Sequence, residues 1–167
     1  MNADTTIRFA NHEDIDTIIS LAHQIWPATY REILSADQLS YMMNMIYSPA
    51  SLRNQIIEKK HSFIIVEENK SPIGFASYSL TDQPGIYKLH KIYVSPNQQG
   101  KGLGKYIIDS ITEKIRPQGA VALHLNVNRN NKAKFFYEKL GFRVIKEEDI
   151  DIGNNYFMND YIMELKL

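Results

Sequence analysis

The chain has 167 residues, 44% of them hydrophobic, and its 19 basic residues balance 19 acidic ones. This composition predicts a single globular domain over residues 1–167 and excludes an intrinsically disordered chain. A formal net charge of zero gives no indication of nucleic acid or membrane as a partner. Because the chain contains no cysteine, it has no disulfide, thiolate metal site or cysteine nucleophile, and a cytoplasmic protein is the simplest expectation.

Apolar runs and histidine spacing point to neither a membrane segment nor a metal site. The sequence has no run of 18 apolar residues, so it predicts no transmembrane helix, and residues 1–10 contain no apolar signal core. The five histidines, at positions 12, 23, 61, 90 and 124, lack the H-E-x-x-H spacing of a metal-binding helix. We therefore expect no metal.

The first 60 residues predict one strand, Thr5–Phe9, followed by three helices. Asn11 is a typical helix cap, and apolar residues recur behind it at helical spacing. Pro27 is predicted to stop this first helix, because proline has no N–H to donate. The second helix is predicted over residues 37–47. The third begins at the Ser48 cap, with proline as its first helical residue, and runs to about residue 60.

From residue 62 onward the pattern changes to strands. Three strands are predicted over residues 62–67, 72–80 and 86–94, with a hairpin turn at residues 69–70. A helix over residues 102–116, a strand over 121–127 and a helix over 132–140 follow, and two terminal strands cover 142–150 and 156–165. This order predicts a mixed α/β domain, with a central, mostly antiparallel mixed sheet flanked by helices.

Three alternating glycines follow the strand that ends at Val94, and a helical segment begins directly behind them. Gly100, Gly102 and Gly104 lack a Cβ atom, so the backbone can approach a ligand closely. The first turn of a helix carries unpaired N–H groups and a partial positive charge. Together these features predict an anion site, most often one for phosphate.

The spacing argues against two nucleotide-binding loops. A P-loop needs Ser or Thr after its lysine, but Gly102 follows Lys101. A Rossmann fingerprint that starts at Gly100 needs a third glycine at position 105, which is Lys105. The remaining pattern, Gln99 with Gly102 and Gly104, resembles the pyrophosphate loop of the GNAT superfamily of acetyl-CoA-dependent N-acetyltransferases. A glycine-rich turn before an ordinary helix is the alternative for this segment taken alone.

A second motif follows the strand over residues 121–127 and strengthens the resemblance. The segment from Asn130 to Phe142 is similar to the second GNAT signature, Asn-x-x-Ala followed by Tyr-Glu-Lys-x-Gly-Phe. Read without the family, Tyr137 is a core aromatic residue on the apolar face of a helix. Because two motifs occur in the family's order and at its spacing, we interpret the chain as having the GNAT acyl-CoA N-acyltransferase fold.

The resemblance implies roles for individual residues. The strand through Ile92 and Val94 would offer backbone groups to the pantetheine arm of acetyl-CoA, and it would diverge from the strand at 121–127. Asn130 would bind the cofactor arm, and Tyr137 would protonate the leaving thiolate. The pyrophosphate would be held by Gln99, Gly100, Gly102, Gly104 and Lys105.

The general base is not assigned by the resemblance. Several relatives carry a glutamate on the strand before the glycine loop, whereas residues 88–91 here contain no carboxylate. His90 is a candidate because its pKa lies near neutrality, and a water chain to backbone carbonyls is an equal alternative. An exposed strand histidine without a catalytic role also fits.

The acceptor is expected to be a small-molecule amine, with a homodimer left open. The segment from Gly153 to Met163 is similar to the PaiA-like polyamine acetyltransferase branch. Acidic side chains near the mouth of the site suit a polycation. The acidic candidates are Glu32, Asp82 and Asp160, and the lining candidates are Trp26, Tyr30, Glu32, Tyr41 and Met45. The alternative function is a CoA-binding sensor or interaction protein of the same fold with weak or no turnover.

Overall fold

The computed structural model describes residues 4–167, which form seven strands and five α-helices. The strands are β1 (Thr5–Phe9), β2 (Ser62–Glu68), β3 (Ser71–Leu80), β4 (Ile86–Val94), β5 (Ala122–Asn128), β6 (Arg143–Gly153) and β7 (Tyr156–Lys166). The helices are α1 (Ile15–Tyr30), α2 (Ala36–Tyr47), α3 (Pro49–Ile57), α4 (Leu103–Ile115) and α5 (Ala133–Lys139). No helix in this part of the chain is long and apolar enough to cross a membrane.

All seven strands belong to one sheet with the order β1-β2-β3-β4-β5-β7-β6. β2 pairs with β1 and β3 in antiparallel fashion, as does β7 with β5 and β6. β4 and β5 form a parallel pair, because α4 connects them as a crossover. The predicted α/β class with a mixed, mostly antiparallel sheet is therefore confirmed.

The described residues divide into two compact units. The first contains the chain up to Ser79 together with Lys91–Asp109, and the second contains Leu80–His90 together with Ser110–Leu167. β4 and α4 each have residues in both units, because the chain passes from one unit to the other within them. The single domain over residues 1–167 stays a prediction.

The cap predicted at Asn11 is present, but it caps a 3-10 turn over His12–Asp14 that leads into α1, and α1 itself ends later than predicted. Asn11 forms a capping box, in which its side chain accepts from the Glu13 N–H and its own N–H donates to Asp14. The prediction that Pro27 stops the helix is wrong, because α1 continues to Tyr30. Proline removes its own N–H donor, but the Arg31 N–H still donates to the Pro27 carbonyl, and burial of Ile25 and Trp26 holds the turn that leads into Pro27.

Most of the other predicted elements are confirmed with small shifts at their ends. Ser48 caps α3, since its hydroxyl accepts from the Ser51 N–H at 3.2 Å. α3 ends at Ile57, before the predicted residue 60, and Lys60 adopts a left-handed backbone with φ 53°. The predicted turn at 69–70 is present, with φ 50° and 62° at its two residues. α4 ends at Ile115, ahead of a short 3-10 turn over Arg116–Gln118.

Each unit has a buried apolar core. In the first unit, four consecutive residues of β2, Phe63–Val66, are buried, as is the apolar face of α1. In the second unit, Leu123, Leu125 and Val127 are buried on one face of β5, as the alternation of a strand requires. Helix α4 buries five apolar residues at helical spacing: Leu103, Ile107, Ile108, Ile111 and Ile115.

Candidate functional site

The glycine loop lies between the end of β4 and the start of α4, all within the first unit. After Val94 the chain makes a short 3-10 turn over Pro96–Gln98, and α4 begins at Leu103. Gly100 and Gly102 have φ values of 78° and 81°, which other residues rarely adopt. The glycines are therefore required by the backbone path that connects the strand to the helix.

Side chains inside the loop hold it in place. Gln98 is buried, and its amide nitrogen donates to Glu68 Oε2 at 3.0 Å. The Lys101 ammonium donates to Gln98 Oε1 at 2.7 Å, and the Gln99 amide nitrogen donates to the Val94 carbonyl at 3.3 Å. These contacts fix the loop against β2 and β4 before any ligand binds. The loop therefore loses less conformational entropy when a ligand binds.

The space around the glycines fits a close anionic ligand. A Cβ atom built on Gly100 or on Gly102 meets no other atom within 4 Å. Tyr106 is the first residue of α4 whose N–H donates back to the loop, to the Gly102 carbonyl at 3.1 Å. The N–H groups of the helical residues before it carry the positive end of the helix dipole. Open space, helix N–H groups and positive partial charge together make a fitting cradle for a diphosphate.

Lys105, which the resemblance assigns to the pyrophosphate, lies in the first turn of α4. It is exposed, and its ammonium pairs with Asp109 at 2.5 Å. An exposed pair one helical turn apart is worth only a few tenths of a kcal/mol, roughly 0.3–0.5. Lys105 can therefore leave Asp109 for a more highly charged partner at little cost. Gly104 occupies the second position of the same helix and is half-buried.

The strand residues assigned to the pantetheine arm lie where the ladder with β5 has ended. The parallel register runs from Ile86 opposite Ala122 to Leu89 opposite Leu125, although β4 itself continues to Val94. Ile92 and Val94 are both half-buried. His90, the candidate base, is also half-buried and lies on β4 just past the last paired residue. Its role as a base stays a prediction.

Asn130 and Tyr137 lie in the second unit, around the start of α5. The Asn130 side chain is exposed, while its backbone N–H donates to the Asn128 side chain at 2.9 Å. Tyr137 is 8% exposed and packs edge-on against Phe142, with ring centroids 5.7 Å apart. Gly141 has φ 96°, and this turn folds Phe142 back against the helix. Burial of Tyr137 fits both a general acid and a core aromatic residue.

A hydroxyl network that sequence reasoning missed lies in the first unit. The Trp26 indole N–H donates to the Tyr47 hydroxyl at 3.1 Å, and the hydroxyls of Tyr30 and Tyr93 lie 3.0 Å apart. Tyr93 also hydrogen-bonds Tyr47, whose pKa is raised by burial, so its hydroxyl stays protonated. The lining candidates Trp26 and Tyr30 of α1 thus belong to one aromatic cluster with Tyr93 of β4. Only the tertiary fold reveals this, because Tyr47 and Tyr93 are far apart in sequence.

The other substrate-side candidates differ in exposure. Glu32 and Asp82 are exposed, Tyr41 is half-buried, and Met45 is 38% exposed. Asp160 is buried at 3% exposure, although an acidic rim would be exposed. Trp26 is also buried at 3%, so it contributes to the core more than to a lining surface.

Asp160 belongs to a polar cluster on one face of the second unit. Its carboxylate accepts from Asn126 at 3.3 Å, and it lies directly opposite Glu148 in the register of β6 and β7. Burial raises the pKa of Asp160, while the nearby cation Lys88 acts in the opposite direction. Cations of the same unit already offset the repulsion between these two carboxylates, since Glu148 pairs with Lys146 at 3.1 Å and Lys88 lies near Asp160.

Comparisons with known proteins identify similar sequences over most of the chain. A family model for an acetyltransferase (GNAT) domain matches residues 30–159. A spermidine N(1)-acetyltransferase of Thermoplasma acidophilum is 28% identical over 165 residues, which are 96% of this chain and 96% of that protein. A ribosomal protein bS18-alanine N-acetyltransferase of Haemophilus influenzae is 27% identical over 140 residues, covering 83% of this chain and 88% of that protein.

Solved structures share the fold. The crystal structure of the PaiA N-acetyltransferase from Thermoplasma acidophilum, in complex with coenzyme A, has a TM-score of 0.82 at 28% identity. It covers 98% of this chain and 99% of its own. A GCN5-related N-acetyltransferase from Rhodopseudomonas palustris also has a TM-score of 0.82, at 19% identity, covering 99% of this chain and 97% of its own, and supports the fold alone.

Proposed function

The chain belongs to the GNAT acetyltransferase family, and we propose that it transfers an acetyl group from acetyl-CoA to a primary amine. The family match over residues 30–159 and the shared fold confirm the sequence-based assignment to a class of N-acetyltransferases. The cosubstrate, the roles of individual residues and the acceptor are the content of the proposal. A related N-acetyltransferase of the same fold has been crystallised with coenzyme A, which supports the choice of cosubstrate.

One observation carries the proposal: the loop from Gln99 to Lys105 forms a braced, open cradle at the N-terminus of α4. Gly100 and Gly102 adopt positive φ and leave room for a ligand, and the helix dipole favours negative charge there. A diphosphate is the part of acetyl-CoA that this cradle fits. Acetyl-CoA, when bound, supplies an acetyl group activated as a thioester.

The remaining roles are divided between β4 and α5. Ile92 and Val94 would bind the pantetheine arm through their backbone groups, beyond the point where β5 pairs with β4. Asn130 would hold the same arm through its exposed side chain. Tyr137 would carry a proton on its hydroxyl for the departing sulfur, because the phenolic group of tyrosine is an O–H donor at neutral pH.

The acceptor must lose a proton before it can attack. A primary ammonium has a pKa near that of lysine, about 10.4, so most of it is protonated at neutral pH. His90 and a water chain to backbone carbonyls are the two candidates for the proton acceptor on β4.

A small polyamine is the acceptor that we propose. A spermidine N(1)-acetyltransferase is similar along 96% of this chain. Glu32 and Asp82 add exposed negative charge.

Thiol release from acetyl-CoA across a panel of amines tests the proposed function. The panel contains spermidine, a monoamine, an aminoglycoside and a peptide with a free N-terminus. We expect release that depends on the amine and is fastest with spermidine. Tight binding of acetyl-CoA with no release for any amine would contradict the proposal and favour the CoA-binding sensor.

A further inference from the structure

Lys91 is a buried lysine on β4, next to Ile92. Only 8% of the residue is exposed. Its ammonium donates to the Gln55 side-chain oxygen at 2.5 Å and lies 5.4 Å from the centre of the Phe63 ring. Both contacts come from elements of the first unit, α3 and β2. The side chain is therefore held in a defined position inside the core.

No carboxylate within residues 4–167 balances this charge. The Gln55 amide is neutral, and its nitrogen is engaged with the Ile46 carbonyl at 2.8 Å and the Ser51 hydroxyl at 3.0 Å. The one charged side chain that influences Lys91 is another cation, Lys59. The site thus supplies hydrogen-bond and aromatic partners for the ammonium but no counter-ion.

A second lysine on β4 has nearby carboxylates that Lys91 lacks. Burial lowers the pKa of Lys88, three residues earlier, while the carboxylates of Asp160 and Glu148 act in the opposite direction. Lys91 has no such support, and burial lowers its pKa to about 8. An unpaired buried charge is costly, and such local conflicts concentrate at functional sites. Lys91 is on the strand that the family resemblance assigns to acetyl-CoA.

We propose that Lys91 is a positioning residue for acetyl transfer, acting through its uncompensated positive field on the group bound along β4. This inference rests on the proposed function. A buried cation stabilises the negative charge that develops on an attacked carbonyl oxygen, and it disfavours a protonated amine nearby. Both effects help the amine to attack. Two unit charges about 10 Å apart at an effective dielectric of about 20 interact strongly enough to change a rate about tenfold.

Lys91→Met tests the inference, because methionine keeps the length of the side chain and removes the charge. We expect kcat at pH 7 to fall about tenfold, while the KM for acetyl-CoA changes less than about twofold. The ratio of wild-type to variant kcat should shrink toward one as the pH rises past about 8, where Lys91 loses its proton. A purely structural role predicts no such pH dependence of the ratio.

Lys59→Met is the matched control. Lys59 is exposed, so water and salt screen its field, and we expect kcat to stay within about twofold of wild type. A fall in kcat with Lys59→Met equal to that with Lys91→Met would contradict an effect specific to the buried charge.

Gln55→Met keeps the inference testable if Lys91→Met does not fold. It removes the hydrogen-bond acceptor of the ammonium, so the pKa of Lys91 should fall further, and kcat should drop at pH 8 while recovering at pH 6. An active wild type with unchanged kcat in both folded variants would overturn this inference alone. A wild type that acetylates no amine would overturn the proposed function as well.

Discussion

Gly102 has a backbone conformation that glycine tolerates and valine does not, and it lies where the diphosphate is proposed to bind. Gly102→Val places a branched side chain into the open space beside the loop. We expect the affinity for acetyl-CoA to fall at least about tenfold, because the side chain and the strained φ both oppose the bound geometry. Isothermal titration calorimetry measures this directly.

Gly119→Val is a matched control for that experiment. Gly119 has φ 83°, also with nothing within 4 Å of a built Cβ, but it follows the end of α4, in the second unit. The same strain should lower stability without changing affinity for acetyl-CoA. Unchanged affinity for acetyl-CoA in a folded Gly102→Val protein would contradict binding of the diphosphate at this loop.

Tyr137 is the proposed general acid, and this role depends on its hydroxyl rather than on the packing of its ring. Tyr137→Phe keeps the ring packed against Phe142 and removes only the hydroxyl. General acid catalysis contributes typically ~10²–10⁴-fold, so kcat should fall by about that factor, with little change in the affinity for acetyl-CoA. Steady-state kinetics of thiol release provide the measurement.

Tyr87→Phe is the control for loss of a buried tyrosine hydroxyl. Tyr87 is 7% exposed, and its hydroxyl donates to Gln118 at 3.1 Å. We expect it to cost stability but to leave kcat within about twofold. If Tyr137→Phe also leaves kcat within about twofold, Tyr137 is a core aromatic residue and the acid lies elsewhere.

Glycine spacing predicted the loop because backbone conformation at Gly100 and Gly102 depends on local sequence. The Lys91–Gln55 contact and the Trp26–Tyr47 hydrogen bond could not be predicted in the same way. Both join elements that are distant in sequence, and local periodicity carries no information about which elements will meet. The catalytic assignment of Tyr137 came from the family resemblance, since burial alone does not separate an acid from a core residue.

At the scale of elements, strands were predicted better than helix ends. β4 matches its predicted range, Ile86–Val94, because turn residues flank a segment rich in β-branched and aromatic residues on both sides. α1 passed the predicted stop at Pro27, and α3 ended before residue 60. Burial against other elements decides whether a helix continues past a weak stop signal in its own sequence. That burial cannot be predicted from a short segment of sequence.

The contact between β4 and α3 makes stability depend on pH. The pKa of Lys91 is lowered to about 8 by burial in the folded protein, whereas an unfolded lysine has a pKa of about 10.4. Between these values the unfolded chain binds more protons, so the free energy of unfolding rises as the pH increases from 8 to about 10.4. The rise from this residue is about 3 kcal/mol at most.

Urea denaturation of wild type and Lys91→Met across this pH range measures the effect. The wild type should gain stability with pH relative to the variant, because methionine has no proton to lose. Equal pH dependence in the two proteins would show that Lys91 is not titrating in this window. This readout does not require enzymatic activity, so it tests the state of Lys91 independently of catalysis.

At the scale of the whole molecule, the formal net charge is zero, so any attraction of a polycation must come from local carboxylates. We expect kcat/KM for spermidine to fall as salt rises, because salt screens steering by exposed carboxylates such as Glu32 and Asp82. A monoamine should show a weaker dependence. If kcat/KM falls equally with salt for both amines, the enzyme does not select its acceptor by multiple positive charges. The cytoplasmic location and the homodimer stay predictions.

The most direct test of the account is to identify the products of one reaction that contains the protein, acetyl-CoA and spermidine. Mass spectrometry should detect free CoA and mono-acetylated spermidine in equal amounts, and Tyr137→Phe should slow formation of both by the same factor. Free CoA without an acetylated amine, or acetyl-CoA left intact with every amine of the panel, would contradict an acetyl transfer to a primary amine.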